Sequence, residues 1–197
     1  MWRPRSSCKP DAAIRRVQDT YTKNIKPIRI VANRRKTQEA PITEPERSQL
    51  RPLLGSLQWR GTQTAPWLQA ELSILLGRVG CALVSDLSEA KKLLKLAQRT
   101  ESLAIPIHPH RGEIAFVGYT DASWGGRADG HSQGGFRIFM YDLGYLQGKP
   151  GPLTLISWDS HKLTRICRSS LAAEIQGIAD GLGELDFVRL AWWEIVW

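Results

Sequence analysis

The chain has 197 residues, 42% hydrophobic and 23% charged, with a net charge of +8, a composition that suits one or two packed domains and excludes a wholly disordered chain. Its longest apolar stretch, FVRLAWWEIVW, is broken by Arg189 and Glu194 and falls short of the ~20 residues of a membrane span, so no membrane partner is expected. The opening MWRPRSSCKP has no apolar run of a secretory signal, and Cys8, Cys81 and Cys167 fit neither a disulfide framework nor a CxxC zinc site; the expectation is an intracellular protein, cytoplasmic or nuclear, not secreted.

The positive charge is concentrated at one end. Up to Arg60 there are 14 Lys and Arg against 5 Asp and Glu, whereas the remainder is close to neutral. Residues 1–40 are rich in Arg, Lys and Pro, with one β-prone run from Ile28 to Ala32, and are expected to form a poorly ordered basic segment rather than a domain. Such a segment attracts polyanions, and Arg15, Arg16, Lys23, Lys26, Arg34, Arg35 and Lys36 are its candidate phosphate-holding residues. The plainer alternative is a solvated arm.

Residues 41–108 carry helical signals. Thr43 with Glu46 forms a capping box, with Pro45 in the first turn; Thr64 before Ala65 and Pro66 repeats the arrangement; Asp86 with Glu89 marks a third start. Apolar residues then recur at three and four spacing, in Leu50, Leu53, Leu54 and Leu57, in Leu68, Leu72, Leu75, Leu76 and Val79, and in Leu87, Ala90, Leu93, Leu94 and Ala97. This predicts a small helical unit whose apolar stripes serve packing.

Residues 112–197 change to strand signals. IAFVGYT, GGFRIFMYD and LTLISW are joined by the polar loop RADGHSQ and the turn GKPGP, which predicts an antiparallel meander. A long helix follows, capped by Ser169 or Ser170, with Leu171, Ile175, Ile178, Leu182 and Leu185 along it. The overall class is therefore α/β in the α+β sense, helices first and then β-β-β-α.

Two carboxylates stand out. Asp121 closes the most apolar strand, before Ala122, Ser123, Gly125 and Gly126; taken alone it reads as a strand-end turn residue. Glu174 lies in the first turns of the long helix among Ala172, Ala173 and Gly177; taken alone it reads as a charge stabilised near a helix N-terminus. Taken together, a strand carboxylate and a helix carboxylate turned toward the sheet can share hard divalent ions that activate water at a phosphodiester.

The strings GYTDASWGG, GGFRIFM, LISWDSHK and RSSLAAEIQGIADGL resemble, in order and spacing, the ribonuclease H domain of copia-type retrotransposon polyproteins. Upstream, TEPERSQLRPLLGSLQWRGTQTAPWLQAELSILLGRV and DLSEAKKLLKLAQ look like the thumb and connection region of the reverse transcriptase in the same polyproteins. The resemblance runs from about Pro41 onward. It implies a helical thumb/connection segment joined to a truncated ribonuclease H-like domain, from a parent that copies RNA into DNA and cleaves RNA in RNA–DNA hybrids with Mg²⁺ or Mn²⁺. It also implies that Asp121 and Glu174 are catalytic metal ligands and that Ser123 lies near the hybrid.

The pattern is not met everywhere. Trp67 stands where an acidic residue is usual and Ala90 where Asn is usual, and no Y-x-D-D palm sequence occurs, so polymerisation by that mechanism is excluded. The family's further carboxylates come after the long helix, and this chain stops at Trp197, so weak or absent hybrid cleavage by the chain alone is expected. The same stop predicts an open edge on the first strand and leaves Trp192, Trp193, Ile195 and Trp197 without a sheet to cover, which predicts self-association. Two alternatives to an enzyme fragment remain: a non-catalytic nucleic-acid-binding remnant, and a protein-interaction module built on the helices and the C-terminal tryptophans. Asp129, Asp159 and Asp180 match no family position and are expected in loops or facing solvent.

Overall fold

The computed structural model describes residues 14–127 and 129–196; Cys8, Ala128 and Trp197 lie outside them. In chain order the elements are β1 (Ile14–Arg16), α1 (Asp19–Lys23), α2 (Glu44–Thr64), α3 (Gln69–Arg78), α4 (Val84–Arg99), β2 (Ile105–Ile107), β3 (Ile114–Ser123), β4 (Gln133–Asp142), β5 (Thr154–Lys162) and α5 (Ser170–Val196). The class is mixed α+β, with two small antiparallel sheets, β1-β2 and β3-β4-β5.

The start of α2 is set by local chemistry. The Thr43 hydroxyl accepts from Glu46 N–H at 3.4 Å, and Glu46 Oε2 accepts from Thr43 N–H at 2.8 Å. Arg34 closes on the same carboxylate at 3.1 and 2.9 Å and also donates to Pro41 O. The hydrogen bond from Arg34 is the main reason the Glu46 carboxyl is pushed down to about 2, so the pair stays ionised in the fold through ordinary pH.

The other two helix starts differ from expectation. Thr64 is the buried last residue of α2, not a cap, and a short 3₁₀ turn over Pro66–Leu68 leads into α3. α4 begins at Val84, and Asp86 acts from its third position, its carboxylate accepting from Leu83 N–H at 2.8 Å. Both residues take part in ends of helices, at positions in the turn other than the expected cap.

The helices enclose one apolar core. Leu50, Leu53, Leu54, Leu57, Leu68, Leu72, Leu75, Leu87, Leu93 and Leu94 are buried in it, each contributing roughly 1.5–3 kcal/mol by leaving water. Residues 14–40, expected to form a loosely held basic segment, also contribute to this core. The structure sends Ile25, Ile28 and Ile30 into this core, and Ile28 to Ala32 forms no strand. Isoleucines spaced between charged residues let an irregular segment bury one side and solvate the other.

The strands run longer than their apolar runs. β3 continues through Asp121 and Ala122 to Ser123, and β5 through Asp159, Ser160 and His161 to Lys162. Pairing with β4 carries these polar residues, as in Asp121 opposite Gly135 and Ser160 opposite Gly135 from the other side. β3 pairs only with β4 among the described residues, so its other edge is open.

α5 starts at Ser170 with Ser169 as its cap, the hydroxyl accepting from Ala172 N–H at 3.2 Å. It crosses β3 antiparallel and at close range. Ala173, Gly177 and Gly181 are the buried side: a Cβ on Gly177 would sit 3.4 Å from Ala122 Cβ and 3.6 Å from the Asp121 carbonyl oxygen, and one on Gly181 would collide with Thr120 Cγ2. Further along, Trp192 meets Phe116 edge-on at 6.1 Å. Trp192 therefore does cover the sheet, contrary to expectation, whereas Trp193 and Ile195 are exposed.

Gly181 and Gly183 make a controlled pair. Gly183→Ala has nothing within 4 Å and should raise stability by about 0.5–1 kcal/mol through helix propensity, whereas Gly181→Ala should lower it by about 1–3 kcal/mol through overpacking on Thr120. Urea unfolding of the two variants checks this; equal stabilisation by both would refute close packing at Gly181.

Candidate functional site

Thr120 and Ala122 face α5, so by strand alternation Tyr119, Asp121 and Ser123 face the other way, toward the helical unit. On that side Asp121 helps line a cleft of about 390 Å³ between the sheet and the start of α3. Its other walls include Trp67, Ala70, Tyr119, Arg137, Trp158 and Ser160.

Fixed donors hold the cleft's roof to its floor and set the orientation of its aromatic walls. Trp158 on β5 donates its indole N–H to Gly61 O on α2 at 2.9 Å. Trp67 donates its own to Thr100 Oγ1 at 3.1 Å. Arg127, in the polar loop before β4, is buried and reaches Ser73 Oγ and Ser73 O on α3 as well as Gln133 Oε1. These long-range bonds join residues far apart in sequence, which is why no local signal announced them.

Asp121 lies on the cleft face of β3, and Glu174 lies on α5, the helix packed on the other face of the sheet. Glu174 is half-buried, one turn before Gly177, the residue whose backbone lies on Asp121 and Ala122. Neither carboxylate has a hydrogen bond or ion pair among the described residues. Ser123 is exposed two positions beyond Asp121 on the same face of β3. Among the described residues no group of three or more His, Cys, Asp or Glu could hold a metal ion. Asp121 and Glu174 alone are fewer ligands than a two-ion centre needs, and no catalytic step is routed through one.

The basic candidates sort into two kinds. Arg34 is committed to Glu46, Lys23 to Glu101 at 3.1 Å and Arg16 to Gln63 at 2.6 Å. Arg15, Lys26, Arg35 and Lys36 are exposed, and their side chains have no partner among the described residues. The structure thus withdraws Arg34 from the phosphate-holding set, because removing it from Glu46 would leave that nearly buried carboxylate unpaired.

The acidic residues outside the family pattern are engaged, not merely solvated. Asp129 accepts from Lys162 at 3.0 Å. Asp159 and Asp180 grip His161 from both sides, at 3.1 Å to Nδ1 and 3.0 Å to Nε2, tying β5 to α5. The chain matches no protein-family model, and comparison with curated proteins and with solved structures finds no match. No helix is long and apolar enough to cross a membrane among the described residues.

His161 is pushed up to about 9, first by the hydrogen bond with Asp159 and then by that with Asp180, which together outweigh burial. Its usual value is 6.5, so the folded chain holds a proton that the unfolded chain releases above that pH. This contribution to stability is full below about pH 6.5 and is lost as pH rises to about 9. Melting temperatures across that range should fall for the native chain and fall less for His161→Gln; parallel profiles would sink the assignment.

Proposed function

We propose that the chain is a piece of a copia-type retrotransposon polyprotein, a thumb/connection-like helical unit followed by a ribonuclease H-like β-β-β-α unit, and that on its own it binds nucleic acid without cleaving it. The observation that carries this reading is the path of the last four elements. An antiparallel β3-β4-β5 meander is crossed by α5 antiparallel to β3, with Asp121 near the end of the strand and Glu174 in the first turns of the helix. The parent activity is copying of RNA into DNA and Mg²⁺- or Mn²⁺-dependent cleavage of RNA–DNA hybrids. Among the described residues no third metal-holding side chain joins these two carboxylates, which supports binding rather than turnover.

Exposed, uncommitted Arg15, Lys26, Arg35 and Lys36 are the phosphate contacts of this reading. Hybrid affinity should fall steeply with salt, and changing these four residues to Gln should flatten the slope of log K against log salt by about one for each phosphate no longer held. Salt-insensitive binding would remove this assignment. With Mg²⁺ or Mn²⁺ no hybrid cleavage above background is expected; Mg²⁺-dependent cleavage that Asp121→Asn leaves undiminished would sink the carboxylate assignment itself.

A second reading, self-association, has one specific observation in its favour. Leu171, Ile175, Ile178 and Leu182 form an exposed apolar stripe on α5, and the outer edge of β3 is unpaired among the described residues. Light scattering on the chain should then show a dimer or larger species that Ile175→Glu with Leu182→Glu returns to monomer. A native monomer at high concentration would dismiss this reading.

A further inference from the structure

We propose that the cleft between the sheet and α3 is a binding site for one unpaired nucleotide of a single strand, with its base against the aromatic walls and its phosphate on Arg137. The proposal rests on the nucleic-acid reading above but names a different place and a different form of ligand.

The first argument is the chemistry of the walls. Trp67 and Trp158 have their N–H groups satisfied by the helical unit, so their rings are fixed in orientation and offer only carbon surface. Tyr119 is 58% exposed at the same cleft and is braced edge-on by Phe139 at 5.8 Å. Rigid aromatic surfaces that keep no indole donor free for a particular base are the type of platform on which bases of any sequence stack.

The second argument is the charge. Arg137 projects from β4 on the cleft face, exposed and without a hydrogen bond or ion pair among the described residues. Asp121 is likewise uncommitted, whereas the other carboxylate at the cleft, Asp159, is already held by His161. A free donor-only cation and a free acceptor-only anion at one aromatic cleft suit a ligand with a phosphate at one end and amide, amine or hydroxyl donors at the other. An apolar ligand would leave both charges desolvated and unpaired, a cost that disfavours it.

The third argument is size. A cleft of about 390 Å³ lies at the lower end of the ~300–1,000 Å³ of small-ligand sites. It takes a single nucleotide. The helical unit, held over the sheet by Trp158 and Arg127, prevents a duplex from lying on this face beside Asp121. A strand must therefore be unpaired to reach the cleft, whereas the exposed lysines and arginines of the N-terminal segment can meet a duplex.

Fluorescence anisotropy with a labelled single-stranded homopolymer and with a hybrid duplex, both in EDTA, tests this on the full chain. Arg137→Gln and Tyr119→Ala should each weaken single-strand binding by about tenfold and leave hybrid binding within twofold. A free mononucleotide should compete with the single strand and not with the duplex. The Arg137 side chain makes no hydrogen bond or ion pair among the described residues, so Arg137→Gln separates loss of a ligand-holding group from misfolding. Unchanged single-strand affinity in both variants overturns the proposal, as does an equal loss for strand and duplex. If the duplex binds and the single strand does not, the cleft proposal fails while the nucleic-acid reading stands; if neither binds, both fail.

Discussion

The close seat of α5 on β3 governs the rest of the β3-β4-β5-α5 half. Ala173, Gly177 and Gly181 give the helix a side with almost no side chains, so its backbone approaches the strand at Thr120 and Ala122. That contact fixes which residues of β3 face the helix and, by alternation, which face away. Asp121 and Tyr119 are thereby turned to the helical unit, and the cleft exists because they are. A one-residue slip of β3 would put Asp121 under the helix, exchanging a packing contact for a buried charge.

The other face of the sheet is held by polar anchors instead of an apolar seam. Trp158 to Gly61 and Arg127 to Ser73 each satisfy a donor that would otherwise be buried or half-buried without a partner. Arg60, fully buried, plays the same part inside the helical unit, reaching the carbonyls of Thr100 and Glu101 at 3.3 Å and so binding α2 to the end of α4. Directional bonds of this kind specify one arrangement of surfaces more sharply than apolar contact does, and they leave room between them. The cleft is that room.

What the sequence revealed followed the range of the interaction concerned. The capping box of Thr43 and Glu46, the leucine stripes and the order β-β-β-α are written in residues three or four apart, or in whole periodic runs, and the structure has them. The added role of Glu46 as the partner of Arg34 depends on a loop folding back, and in the sequence Arg34 therefore looks like a free cation. Periodicity ends the strands too early because DAS and SHK carry no apolar alternation; ladder hydrogen bonds with β4 extend them regardless. The candidate cleft draws on Trp67, Tyr119, Arg137 and Trp158, four positions that no local pattern joins. A carboxylate pair can be named from its neighbours, but which face of β3 Asp121 occupies needs the packed helix.

The distribution of committed and uncommitted charge decides what this surface can hold. An arginine or lysine already paired in the fold must give up a partner before it can meet a phosphate, and where that partner is nearly buried, as with Glu46, the exchange costs more than the new contact returns. Arg34, Arg127 and, more weakly, Arg78 with Asp86 belong to that class. Arg15, Lys26, Arg35, Lys36 and Arg137 break nothing when they bind an anion. Four of these five lie in the N-terminal segment that Ile25, Ile28 and Ile30 fasten to the helical core, so their charges are displayed on a supported surface. The fifth stands alone in an aromatic cleft. The first arrangement suits the repeating charge of a long polyanion, and the second suits one phosphate attached to one base.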